Sequence, residues 1–173
     1  SCNPAEANSR LLVGQLAALA ASEGFELIRA PVELDRPGTE IPETIPTLLG
    51  PLAGEKVDAL YLPSDSFVIS HAADIVRQAH AAGIPTFSAT ETPIRQDHAF
   101  MGLVSRYYSV GQFAAYKAEQ ILLQRREPGS LPVETLNRFS LVINLRAART
   151  LGIFPPVAMF RFAEIVEPPR SSR

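Results

Sequence analysis

The chain has 173 residues, 46% of them hydrophobic and 20% charged, with a formal net charge of -2. That balance describes one globular domain with a real core and argues against general nucleic-acid binding. Cys2 is the single cysteine, which excludes an internal disulfide or a thiolate metal cluster, and no apolar run approaches the roughly 20 residues of a membrane span.

Taken in chain order, Ser1-Cys2-Asn3-Pro4 reads as the end of a strand-to-helix corner whose strand is missing. A fragment, or a chain cut just inside its first strand, is expected. The polar opening has no signal-peptide character, as in the mature form of an exported protein. A lipid anchor on Cys2 would need an upstream targeting segment. Leu12, Leu16 and Leu19 share one helical face, and Gly24 ends that helix. Phe25 to Val32 is strand-like. A proline-rich stretch follows, with a short helix expected from about Pro42 to Leu52.

Val57 to Leu62 reads as the next strand, and Val68, Ala72, Ile75, Val76 and Ala79 mark a helix ended by Gly83. Pro85 to Ser88 and Ala99 to Ser105 are short strands. Val110, Phe113, Ala114, Ala118 and Ile121 give the following helix its apolar stripe, closed by the run Arg125 to Gly129. Ser140 to Asn144 is strand-like, Leu145 to Leu151 a short helix, and Ile165 lies in a short terminal element. Pro168 to Arg173 reads as a disordered tail.

This alternation predicts an α/β fold of three layers, α/β/α, around a mostly parallel sheet covered on both faces. Right-handed crossovers would place the strand-to-helix corners on one edge. Ligands bind at such edges, beside helix N-termini. Two corners stand out: Leu60-Tyr61-Leu62-Pro63 running into Ser64, Asp65 and Ser66, and Gly102-Leu103-Val104-Ser105 running into Arg106, Tyr107 and Tyr108.

Each candidate has a plainer reading. Ser64, Asp65 and Ser66 cap a helix, worth about 1 kcal/mol, and also sit where a ligand would. Of the adjacent rings of Tyr107 and Tyr108, one is expected buried and one turned to the cleft to stack on a ligand. Arg106 is a solvated charge, or a bidentate partner for a carboxylate or phosphate. Asn8 and Ser9 open the first helix, as caps or as part of an anion-attracting terminus. Thr90, Glu91 and Thr92 follow a strand end on the same edge. His71, His80 and His98 lack metal-ligand spacing, and surface or supporting roles are expected of them. No glycine-rich phosphate loop and no nucleophile elbow is present. No cofactor and no enzymatic activity are expected.

Six segments in register resemble a known group: Asn3 to Ser9, Val57 to Ser66, Gly83 to Phe87, Tyr107 to Gly111, Leu141 to Leu145, and Leu151 to Ile153 with Pro155-Pro156. The chain resembles the bacterial ABC-transporter solute-binding proteins of the group with tryptophan- and tyrosine-binding members. The resemblance implies a type I periplasmic-binding-protein-like lobe, the carboxyl-terminal half of a two-lobed protein with its ligand between the lobes. Residues 1–167 would form that lobe, with about 140–167 associated with the hinge. It further implies an extracytoplasmic or periplasmic location, a small-molecule ligand that is amino-acid-like or anionic, and ABC permease and ATPase subunits as partners. Asn8, Ser9, Ser64, Asp65, Ser66, Glu91, Arg106, Tyr107 and Tyr108 would touch the ligand.

Two departures bear on specificity. Ser66 stands where relatives carry asparagine. Val104-Ser105-Arg106 replaces a glycine, isoleucine, aspartate ending, so a base stands where an acid would suit a ligand ammonium. Amino-acid binding of the aromatic-specific kind is therefore not expected; an anionic ligand, or loss of binding, is. A transcription regulator's effector domain shares the fold but would carry a helix-turn-helix. An α/β enzyme would need an acid–base or nucleophile constellation. A lone lobe would leave a hinge face open to homodimerisation.

Overall fold

The computed structural model describes residues 6–30, 34–36, 39–40 and 57–166. The helix expected at Pro42 to Leu52, the opening turn at Ser1 to Pro4 and the tail from Pro168 lie outside the described residues.

Helix α1 spans Ala7–Glu23 and stops at Gly24, whose φ of 75° is the left-handed value that glycine reaches without strain. The segment from Phe25 to Ala30 follows without strand pairing, so the strand expected over Phe25 to Val32 is not formed among the described residues. Strands β1 (Leu34–Arg36) and β2 (Thr39–Glu40) pair antiparallel as a small separate ribbon.

The central sheet has five strands in chain order: β3 (Leu60–Leu62), β4 (Thr86–Ser88), β5 (Met101–Val104), β6 (Ser140–Asn144) and β7 (Ala163–Val166). Strands β3, β4 and β5 run parallel, β6 turns antiparallel to β5, and β7 is parallel to β6. The mostly parallel expectation holds, but the reversal at β6 sends the corner at Asn144 to the opposite rim. Not every strand-to-helix corner shares one edge.

Helices α2 (Ser66–Ser70) and α3 (Ala72–Ala81) replace the single helix expected there; the chain breaks at His71. Ala72, Ile75, Val76 and Ala79 are the buried stripe of α3. They recur at the spacing that puts side chains on one helical face. Leu60 and Leu62 alternate with half-buried Tyr61, as pleating requires. Both leucines join Ile75, Val76 and Ala79 of α3, Ile94, Val104 and Val142 in the main core. The other sheet face carries Tyr61 stacked on Phe87, with ring centroids 6.2 Å apart. Leu12, Val13 and Leu16 of α1, the Phe25–Ala30 segment, Tyr61 and Phe87 line a cavity of about 730 Å³ on that side.

Helix α4 (Glu91–Arg95) precedes β5, α5 (Tyr107–Leu122) follows it, and α6 (Leu145–Leu151) follows β6. Gly102 is what lets β5 lie close. A Cβ there would stand 2.1 Å from the Ser88 carbonyl oxygen and 2.8 Å from Ile94 Cδ1. On the far rim, Asn144 is fully buried: its Nδ2 donates to the Ile94 carbonyl at 2.8 Å, and its Oδ1 accepts from the Arg146 and Ala147 amides.

Candidate functional site

Three parallel strands in a row must end on one rim, so the corners after β3, β4 and β5 are neighbours. The first is built on Asp65. Its backbone is extended, at φ -129° and ψ 132°, and its Oδ1 accepts the Val68 amide at 3.1 Å, capping α2. Its Oδ2 accepts the Ser9 hydroxyl, and both side chains are buried. Glu6 does not cap its own helix; its Oε1 accepts the Ser66 amide at 3.2 Å. Two bonds thus tie the start of α1 to the Asp65 corner.

The second corner follows β4. The Ser88 hydroxyl donates to the Thr90 carbonyl at 2.9 Å and accepts the Thr90 amide at 3.2 Å, folding the chain into a tight turn. Thr90 is buried, and its Oγ1 has no hydrogen-bond partner. The Glu91 carboxylate reaches across to the third corner, accepting the Tyr107 amide at 3.2 Å and Arg95 Nε at 3.1 Å. This is a helix cap supplied from another element, at the positive end of α5.

The third corner carries Arg106, Tyr107 and Tyr108. Both tyrosines are exposed, at 57% and 72%, so the expectation that one ring is buried is not met. Neither ring has a core to enter, because Gln120 is the only buried residue of α5 among those described. Because β6 and β7 run opposite to β5, their first residues return to this rim. Phe139 and Phe162 precede them and are exposed as well. From β7, Glu164 Oε1 accepts Arg95 at 2.8 Å while its Oε2 lies 3.5 Å from Arg106. Glu91, Arg95, Glu164 and Arg106 form one chain of alternating charge, which holds the Arg95 guanidinium proton more tightly than usual, chiefly through its hydrogen bond to Glu164.

All nine candidate residues therefore belong to these three corners or to the start of α1. Ser9 and Asp65 are committed to each other and buried; Asn8, Ser64, Ser66, Arg106, Tyr107 and Tyr108 are exposed, and Glu91 is half-buried. The sequence reading missed Arg95, Glu164 and the two phenylalanines. An alternating strand such as Ala163 to Val166 does mark Glu164 as facing away from Ile165, but its partners depend on the reversal at β6.

The histidines lie elsewhere. His71 stacks on Phe67 at 4.3 Å and sits between two helices, rather than sharing one with His80. His80 Nε2 bonds Thr86 Oγ1 at 3.1 Å, at the opposite rim, and burial, then the nearby His98, lowers its pKa below 6.5. His98 has a φ of 63° and a buried Nδ1 without a hydrogen-bond partner. Among the described residues no three metal-ligating side chains converge, and no helix is long and apolar enough to cross a membrane.

Comparison with known proteins accords with this architecture. The family model for ABC transporter substrate binding proteins matches residues 1–166. A tyrosine-binding protein of Clostridioides difficile is 26% identical over 152 residues, covering 87% of this chain and 41% of that protein. A conserved domain protein of Vibrio cholerae superposes with a TM-score of 0.79 at 31% identity, over 96% of this chain and 53% of its own. An ABC domain from Streptococcus pneumoniae, solved with L-Trp, superposes with a TM-score of 0.75 at 22% identity, over 96% and 54%. The chain thus spans about half the length of these solved relatives, and less of the curated one. On the match over residues 1–166, the chain belongs to the ABC transporter substrate binding protein family.

Proposed function

We propose that this chain is the carboxyl-terminal lobe of the solute-binding component of an ABC importer, and that the rim after β3, β4 and β5 forms one side of its ligand cleft. The observation that carries the reading is the shared rim: three parallel strand ends, with the start of α1 tied to them by Ser9 and Asp65. Open parallel sheets bind ligands at that edge. The buried, unpartnered Thr90 hydroxyl lies there too. Its role is capture, delivery to a permease driven by an ATPase, and no bond-making; it works outside the cytoplasm. Residues from about 140 to 167 would be associated with the hinge, and a second lobe would close over the exposed rings.

A thermal-shift screen of amino acids and small organic anions tests this. A ligand at about 100 times its Kd stabilises by about 2.7 kcal/mol, a rise of roughly 5–10 °C for a chain of this size. The shift should vanish in Arg106→Gln and survive in His98→Gln at the far rim. A library without a single rim-dependent shift would overturn the proposal.

A further inference from the structure

We propose that Glu164 acts as an internal counter-ion that a ligand carboxylate displaces from Arg106, so that the rim selects aromatic solutes carrying an anion and no ammonium group. This rests on the cleft reading above and names the ligand class it would take.

The four rim charges are unequally engaged. Glu91 spends one oxygen on Arg95 and the other on the Tyr107 amide. Arg95 is held on two sides, by Glu91 at 3.1 Å and Glu164 at 2.8 Å. Arg106 meets Glu164 only at 3.5 Å, and its side chain is 44% exposed, more than Arg95 at 30%. A guanidinium offers five N–H donors in a fork that fits a carboxylate in two parallel bonds. Arg106 therefore has spare donors, and Arg95 keeps Glu164 in place when Arg106 lets go. A ligand ammonium meets the reverse situation. Glu91 and Glu164 are already taken, Asp65 is buried against Ser9 and the Val68 amide, and Arg106 repels a cation. The exposed rings of Tyr107, Tyr108, Phe139 and Phe162 on the same rim supply stacking surface for a flat apolar body.

Calorimetry with a matched set of phenols tests the inference: 3-(4-hydroxyphenyl)propanoate as anion, tyramine as cation and L-tyrosine as zwitterion. The chain should bind the anion about tenfold or more tightly than tyramine, and Arg106→Gln should erase that preference. Glu164→Gln removes the competitor and should tighten anion binding by about three- to tenfold. A purely structural Glu164 would weaken all three probes together, and Glu164→Asp would then rescue them. Equal binding of anion and amine, or uniform weakening in Glu164→Gln, overturns the inference while leaving the cleft reading intact. No binding of any probe to any variant also overturns it, and the cleft reading then rests on the broader screen.

Discussion

Ser9 on α1 donates its hydroxyl to Asp65 at the head of α2, joining positions 56 residues apart. Both side chains are buried, so neither can exchange its partner for water. Ser9→Ala should cost about 1–3 kcal/mol in urea unfolding. Asp65→Ala should cost more, because it also strips the cap from the Val68 amide. A double-mutant cycle should return a coupling of about 0.5–3 kcal/mol. Additive effects would mean that the two corners are held together by something else.

Gly102 makes a sharper prediction. A methyl group there would meet the Ser88 carbonyl at 2.1 Å, and a backbone oxygen has no rotamer to escape into. Gly102→Ala should therefore force β5 away from β4 and cost about 3 kcal/mol or more, at the upper end of overpacking penalties. Chemical denaturation checks it. Displacing β5 also displaces Arg106, so any ligand shift should shrink in the same variant.

How far the sequence foretold this arrangement varies by residue. The Asp65 corner was readable because a strand ending in proline and followed by polar residues has few other solutions. The helix Leu145–Leu151 and strand Ser140–Asn144 were readable to the residue, since the capping bonds that the Asn144 Oδ1 accepts come from amides two and three positions on. What failed was non-local. Direction is a property of pairing, so nothing within β6 announces that it runs antiparallel to β5. That single reversal brings Glu164 within reach of Arg95 and Arg106. The exposure of both tyrosines was missed for a related reason: helical spacing predicts a buried face only when another element arrives to cover it.

The far rim should make stability depend on pH. Burial, then repulsion from His98, lowers the His80 pKa below the ordinary 6.5. The folded state therefore prefers neutral imidazole, and the unfolded chain binds the proton first. Stability is fully present above about 6.5 and falls as pH drops through that value towards the lowered one. Asp97 acts with the opposite sign: burial raises its pKa from 3.8, so between 3.8 and its raised value folding gains as pH falls. The melting temperature should thus be lower at about pH 5 than at about pH 7.5, and His80→Gln should flatten the difference. A His80→Gln profile identical to that of the unaltered chain would contradict it.

Backbone amide chemical shifts, followed while titrating whichever solute gives the largest thermal shift, test the central claim most directly. Perturbations should cluster at residues 64–66, 88–91 and 105–108, with those of Arg106 and Tyr107 among the largest. Changes centred instead on His80, His98 and Arg146, at the opposite end of the sheet, would contradict the assignment of the ligand to this rim.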